Sequence, residues 1–140
     1  YSRITGLGRK MNNPLKILVV DDHLGICITI RDILHNFGYD VEIAENGFEG
    51  LAMISQGFDC VISDLVMPGM NGVDFRNKVI EQFGVIPFIF ITAYAEPKVL
   101  SQVNQLEGTS LIEKPITISG LINILNGLFP QKTTDQNFEI

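Results

Sequence analysis

Residues 59–72, DCVISDLVMPGMNG, decide how this chain is organised. Their apolar segment predicts a buried strand over 59–63, which delivers one carboxylate, Asp64, to a loop rich in proline and glycine. Pro68, Gly69 and Gly72 are typical turn residues. An acid at the end of a rigid strand, surrounded by loop backbone, is better placed for chemistry than for stability. Asp64 is therefore the first candidate reactive group.

Short apolar segments with the character of buried strands recur along the chain. Beside 59–63, the predicted strands are 16–20, 41–44, 85–92 and 109–113. Helical spacing of apolar residues predicts helices over 24–37, 48–55, 73–83, 95–106 and 118–128. Five alternating strand and helix units require a parallel sheet with helices on both faces, because right-handed crossovers place them there. The expected fold is a doubly wound α/β domain.

Length and composition set the domain organisation. The chain has 140 residues, 46% of them hydrophobic, and a mean hydropathy of +0.24, which fits one α/β domain with a single sizeable core. We expect this domain to span 15–129. Residues 1–14 are predicted to be a flexible, linker-like or vector-derived extension, and 130–140 a polar tail.

Charge and cysteine content restrict the function classes. Positions 11–140 hold seven basic and sixteen acidic residues, which makes direct binding to a nucleic-acid backbone a poor prediction and a divalent cation a good one. Cys27 and Cys60 are isolated in apolar surroundings, which favours reduced core thiols and a cytoplasmic location. No apolar segment reaches the roughly 20 residues of a membrane span.

Four predicted strands end in charged or hydroxyl residues. Asp21 and Asp22 follow the first strand, Asp64 the third and Lys114 the fifth, while Thr92 ends the fourth. Ligands of parallel α/β sheets bind beyond the carboxyl ends of the strands, so these side chains are expected to converge. Three carboxylates in close proximity repel one another unless a cation lies among them. Oxygen ligands without a nearby cluster of His or Cys favour a hard ion such as Mg²⁺.

The same residue types suit phosphoryl chemistry. Lys114 adds a compact positive charge and Thr92 a hydroxyl donor, and both match the oxygens of a phosphoryl group. A carboxylate beside a metal ion, a lysine and a hydroxyl can attack phosphorus and form an aspartyl phosphate. Asp64 is the expected nucleophile.

These motifs, taken in order, resemble the receiver domain of two-component response regulators, especially its chemotaxis-regulator-like members. The matching motifs are DD at 21–22, D-x-x-M-P-x-M-x-G at 64–72, T-A at 92–93 and K-P at 114–115. Each motif alone is weak, but four in order at strand ends are specific, and the resemblance covers 16–128. It implies a flavodoxin-like sheet with strand order 2-1-3-4-5.

The resemblance also implies roles for the metal-site residues. Asp22 would bind Mg²⁺ or Mn²⁺ directly, Asp21 mainly through water, and Asp64 and the backbone carbonyl of Val66 would supply further oxygens.

Around the phosphoryl group, the resemblance implies that Asp64 is phosphorylated and that Thr92 and Lys114 contact the group. Ala93 would stay small to admit it, and the Lys114–Pro115 bond would be cis. The implied phosphodonor is a sensor histidine kinase or a histidine phosphotransfer domain. The output partner is unidentified, a homodimer stays open, and no membrane or nucleic-acid contact is implied. The chain would catalyse only its own phosphorylation and dephosphorylation, so it is not expected to be an enzyme acting on other substrates.

Two positions depart from the pattern that many receivers share. Leu111 stands three residues before Lys114, where a Tyr or Phe is common, and Gly108 lies one residue nearer to the lysine than usual. The output surface is thus expected to differ from the common form. Val66 and Tyr94 occupy positions that flank the phosphoryl group, and their apolar or bulky side chains predict slow dephosphorylation.

The same residues also bear on other classes of function. A non-phosphorylated or phosphate-shuttling interaction module is the main alternative. A haloacid-dehalogenase-type phosphatase would need an aspartate at position 66, where Val66 stands, and a flavodoxin would need a phosphate loop at 21–25, which reads DDHLG. Taken singly, each residue has a purely structural explanation. The acid pair could merely cap a helix, Thr92 could be an ordinary strand residue, and Lys114 could be a solvated surface lysine. His23 and His35 are expected to be surface residues.

Overall fold

Five parallel strands form one sheet in the order β2-β1-β3-β4-β5. The computed structural model describes residues 14–93 and 96–130. The strands are β1 (Lys16–Val20), β2 (Asp40–Ala44), β3 (Cys60–Asp64), β4 (Phe88–Thr92) and β5 (Thr109–Glu113). The doubly wound architecture and the flavodoxin-like order 2-1-3-4-5 are thereby confirmed.

Among the described residues, four helices connect the strands and a fifth follows β5. They are α1 (Leu24–Asn36), α2 (Gly47–Met53), α3 (Gly72–Phe83), α4 (Pro97–Asn104) and α5 (Ile118–Leu128), and a 3₁₀ turn (Ile54–Gln56) continues α2. Side chains of Asn46, Asn71 and Thr117 cap α2, α3 and α5 by accepting backbone N–H groups of the first turn. Gly38 follows α1 with φ +88°, the left-handed conformation that glycine adopts without strain.

Alternating residues of the strands build two cores, one on each face of the sheet. Ile17 and Val19 of β1 pack with buried residues of α1 and α5, in what we call the α1/α5 core. Leu18 and Val20 pack with the opposite cluster, the α2–α4 core, which includes Phe75 of α3. All five residues of β3 and of β4 are buried, as expected for strands covered on both faces. The chain thus fixes the central strands from two sides.

The predicted bounds of three strands were wrong by one to three residues. The second strand was predicted over 41–44 but begins at Asp40. The fourth strand was predicted over 85–92 but begins at Phe88, since Pro87 has no N–H to donate and Val85 is exposed. The Pro87 carbonyl still accepts the N–H of Val61. The third strand was predicted over 59–63 but covers Cys60–Asp64, because the side chain of Asp59 accepts the backbone N–H of Lys16 at 2.8 Å.

The fourth helix is shorter than predicted. The expected range was 95–106, whereas α4 covers Pro97–Asn104. Proline at the first helical position is favourable, and at the other end the hydroxyl of Thr109 donates to the carbonyls of Val103 and Leu106. The predicted extension at 1–13, the tail at 131–140 and position 95 lie outside the described residues.

Both cysteines are buried free thiols, as predicted. Burial, followed by the charge of Asp21, raises the pKa of Cys27 to about 12, and burial also raises the pKa of Cys60. These thiols are therefore inert core groups. Among the described residues, no helix is long and apolar enough to cross a membrane.

Candidate functional site

The pleat of the sheet brings three charged residues to the same side of its carboxyl edge. Each stands two positions after a strand residue of the α1/α5 core: Asp21 after Val19, Asp64 after Ile62, and Lys114 after Ile112. Successive side chains of a strand point to opposite faces, so a step of two residues keeps the side. Local sequence therefore accounts for the convergence of these groups.

Lys114 lies between the two buried acids. Its Nζ is 3.2 Å from Asp64 Oδ2 and 3.5 Å from Asp21 Oδ2. Asp21 is 0% exposed and Asp64 is 4% exposed. The three predicted residues are thus brought together, with one positive charge serving two carboxylates.

The remaining oxygen of Asp64 is held by the loop that follows β3. The backbone N–H of Val66 donates to Asp64 Oδ1 at 3.2 Å, while the Val66 side chain is 75% exposed. The N–H of Gly72 donates to the carbonyl of Leu65 at 2.8 Å and closes the loop. A Cβ at Gly72 would collide with the carbonyl oxygen of Asp64 and lie 3.0 Å from Cα of Leu65. The glycine therefore allows the loop to approach the strand end.

The site shifts the pKa values of its two central groups. Burial raises the pKa of Asp64 above its ordinary value, the charge of Asp21 raises it further, and the Val66 hydrogen bond and Lys114 oppose the shift. Burial alone would lower the pKa of Lys114, but the hydrogen bond and charge of Asp64, together with Asp21, raise it overall. A second positive charge beside the carboxylates would favour ionised Asp64.

Asp22 and His23 form the exposed rim of the acidic cluster. The backbone N–H of His23 donates to Asp21 Oδ1 at 2.9 Å, and its ring Nδ1 lies 3.2 Å from the same oxygen. Nδ1 is also 3.4 Å from Asp22 Oδ1. His23 is exposed, as predicted, but sequence reasoning missed its contact with both acids. Its place directly after the acid pair was the available signal.

Thr92 and Pro115 complete the carboxyl edge. Thr92 is 2% exposed, and its carbonyl accepts the backbone N–H of Lys114 at 2.7 Å. The Lys114–Pro115 bond is cis, as the resemblance implied. Ala93 is exposed, Tyr94 lies outside the described residues, and the expected roles of Thr92 and Ala93 toward a phosphoryl group stay predictions.

The donor set fits a divalent cation. Ligand atoms of Asp21, Asp22, His23 and Asp64 all lie within 4.8 Å of one another. Asp21 Oδ2 is buried, makes no hydrogen bond among the described residues and lies 3.5 Å from Lys114 Nζ, which also pairs with Asp64. One ammonium for two buried carboxylates leaves negative charge that a cation would neutralise. The expected participation of the Val66 carbonyl stays a prediction.

A buried arginine beside the α4–β5 loop was not predicted. Arg76 is 8% exposed, and its Nη2 donates to the carbonyl of Glu107 at 2.7 Å. Arg76 lies three residues from both Val73 and Val79, which are buried, so helical spacing did contain the signal. This contact ties α3 to the segment where the chain departs from the common receiver pattern. Leu111 lies in the same region, half-buried against the α2–α4 core.

Residues 17–126 match the family model of the response regulator receiver domain. The chain belongs to this family. Its fold, its acidic cluster and the positions of Asp64 and Lys114 agree with the resemblance that the motifs carry.

Individual receivers of known name are similar over most of this chain. Chemotaxis protein CheY-3 of Vibrio cholerae is 31% identical over 123 residues, which cover 85% of this chain and 95% of that protein. Sporulation initiation phosphotransferase F of Bacillus subtilis is 31% identical over 121 residues, or 84% and 96% of the two chains. The solved structure of Vibrio cholerae chemotaxis protein CheY4 superposes with a TM-score of 0.76 at 31% identity, covering 81% and 97%. The match therefore extends over nearly the whole of each of these proteins.

Proposed function

We propose that this receiver domain accepts a phosphoryl group on Asp64 from a phosphohistidine of a sensor histidine kinase or a histidine phosphotransfer domain. The observation that carries the proposal is the setting of the Asp64 carboxylate at the carboxyl edge of the sheet. One oxygen lies 3.2 Å from Lys114 Nζ and the other accepts the Val66 N–H. Family membership supports the same chemistry.

In the proposed reaction, a carboxylate oxygen of Asp64 attacks phosphorus, the bond from phosphorus to the donor nitrogen breaks, and the donor imidazole leaves. The Val66 N–H fixes the orientation of the carboxylate. Lys114 would neutralise the negative charge that develops on the phosphoryl oxygens, because its ammonium already lies beside Asp64 Oδ2. Thr92 would donate its hydroxyl to a phosphoryl oxygen.

Asp21, Asp22, Asp64 and the carbonyl of Val66 would hold Mg²⁺ or Mn²⁺, which supplies neutralising positive charge to the phosphoryl oxygens when bound. The buried Asp21 Oδ2 without a hydrogen-bond partner among the described residues supports this assignment.

The output would be a change of interaction surface. In the unphosphorylated domain Lys114 pairs with Asp21 and Asp64. Phosphorylation adds negative charge beside this lysine, and the new charge would change the conformation at the carboxyl ends of β4 and β5. Leu111 means that this response proceeds without the aromatic switch common in the family. The domain would catalyse only its own phosphorylation and dephosphorylation.

The test is incubation of the whole chain with a small phosphodonor, followed by intact mass measurement. We expect one phosphoryl adduct that requires Mg²⁺ and is lost in Asp64→Asn. Asp32→Asn, an exposed carboxylate of α1, is the matched control and should retain the adduct. An adduct that persists in Asp64→Asn, or no adduct on the unchanged protein, would refute the proposal.

A phosphate-shuttling role is the second candidate. The similarity to a protein named phosphotransferase, over 96% of its length, favours it. A shuttle would return its phosphoryl group to a second histidine-containing domain. Mixing the purified phosphoprotein with such a domain would show transfer of label for a shuttle, and only release of inorganic phosphate for a terminal regulator.

A further inference from the structure

The side chain of His23 is exposed, yet its imidazole ring contacts two carboxylates of the acidic cluster. The ring Nδ1 is 3.2 Å from Asp21 Oδ1 and 3.4 Å from Asp22 Oδ1. Two ligands of one ion, at bond lengths of about 2.0–2.1 Å, are separated by about 3.0 Å in octahedral and about 3.3 Å in tetrahedral geometry. Nδ1 therefore lies at a distance from each of the two oxygens that two ligands of one ion would have.

The charge balance of the cluster separately favours a cation. The Asp21 side chain is 0% exposed, and its Oδ2 makes no hydrogen bond among the described residues but lies 3.5 Å from Lys114 Nζ. Lys114 also pairs with the buried Asp64, so one ammonium faces two buried carboxylates, and the cluster keeps negative charge that a bound cation would neutralise. Asp21 Oδ1 also accepts the backbone N–H of His23, which keeps the carboxylate close to His23.

We propose that His23 supplies Nδ1 as a ligand of the divalent ion, which biases the site towards metals such as Co²⁺ and Zn²⁺ relative to Mg²⁺. Imidazole nitrogen binds late first-row metals well, whereas Mg²⁺ prefers oxygen. The expectation of a hard ion rested on oxygen ligands without a nearby cluster of His or Cys, and the contacts of Nδ1 add one nitrogen donor to those oxygens. This inference rests on the proposed function, since the ion concerned is the one that the phosphorylation site would bind.

The experiment is calorimetric titration of the metal-free whole chain with Co²⁺ and with Mg²⁺, for the unchanged protein and three variants. We expect His23→Ala to weaken Co²⁺ binding at least about tenfold and Mg²⁺ binding less than about threefold. His23→Asn places an amide oxygen near the former Nδ1 position, so it should keep Mg²⁺ affinity and still lose Co²⁺ affinity.

His35→Ala is the matched control. His35 is the second of the two histidines of the chain, is exposed, and lies in the last turn of α1, about 18 Å along the helix from His23. Its removal should leave both affinities unchanged. In proton NMR spectra, added Co²⁺ should shift the ring resonances of His23 strongly and those of His35 little.

Three results would overturn the inference: Co²⁺ binding unchanged in His23→Ala, both ions weakened equally, or both ions bound more tightly. The last result would show that the imidazole only donates to the carboxylates and competes with the ion. The phosphodonor assay in Mg²⁺ separates this inference from the proposed function. An adduct on Asp64 with His23-independent Co²⁺ binding refutes only the inference, and His23-dependent binding without an adduct refutes only the proposed function.

Discussion

The strand that carries Asp64 and the strand that carries Lys114 lie in contrasting parts of the molecule. β3 lies inside the sheet between β1 and β4, and every residue of it is buried. β5 is one of the two edge strands of the sheet; four of its residues are half-buried and Glu113 is exposed. The carboxylate is therefore fixed by packing on both faces, and the lysine is delivered from a more weakly held strand. A site of this kind keeps its nucleophile in place while its positive group and the surface beside it can respond.

The largest predicted effect comes from a substitution that disturbs the firmly held end of β3, the addition of one carbon atom at Gly72. Gly72→Ala would force the loop away from the Asp64 carbonyl and from Cα of Leu65. We expect a loss of about 3 kcal/mol or more in the free energy of unfolding, measured by urea titration followed by circular dichroism.

Gly127→Ala in α5 is the control for that substitution. A Cβ at Gly127 meets no atom within 4 Å of the described structure, and alanine is the better helix former. This variant should be unchanged or more stable by about 0.5–1 kcal/mol. Equal stability of the two alanine variants would show that the loop does not need the close approach.

Truncating two leucines of the same core, one in an inner strand and one in an edge strand, compares how much each strand contributes to the free energy of unfolding. Leu18 of β1 is 0% exposed, whereas Leu111 of β5 is half-buried, and both belong to the α2–α4 core. We expect Leu18→Ala to cost about 3–4 kcal/mol in the free energy of unfolding and Leu111→Ala about 1–2 kcal/mol. Similar losses would mean that the edge strand is held as firmly as the inner strands.

The next prediction concerns Val66 and Tyr94, the two positions that the resemblance places beside the phosphoryl group. The double variant Val66→Asn with Tyr94→Glu should lose its phosphoryl group about tenfold faster than the unchanged protein, which equals about 1.4 kcal/mol in the activation barrier. Val66 lies beside the carboxylate through its N–H, and polar side chains would admit the attacking water. Decay of radiolabelled phosphoprotein gives both rates. Faster decay in the unchanged protein would disprove shielding.

The sequence predicted those parts of the fold and site that depend on local pattern. Apolar segments located the strands, and the rule that ligands bind beyond the carboxyl ends of parallel strands then predicted that Asp21, Asp64 and Lys114 converge. The start of β4 was misjudged because residues 85–87 are as apolar as the strand itself, and only the missing N–H of Pro87 separates them. The contacts of His23 with Asp21 and Asp22 are local, but the sequence does not fix the rotamer of an exposed histidine.

The smallest expected change is a gain in stability from Asp64→Asn. Burial and the charge of Asp21 raise the pKa of Asp64 above 3.8, so the folded state favours the protonated carboxyl. The stability that protonation gives is complete below pH 3.8 and is lost as pH rises through the higher folded pKa. At neutral pH and without divalent ions, Asp64→Asn should therefore unfold at higher urea concentration than the unchanged protein, by less than the loss in Leu111→Ala. The advantage should shrink as pH falls towards 3.8, and an advantage independent of pH would show that ionisation of Asp64 is not its cause. The Asp64→Asn substitution should also be made in a Lys114→Gln background. Lys114 opposes the rise in the pKa of Asp64, so without its charge the gain in stability from Asp64→Asn should be larger.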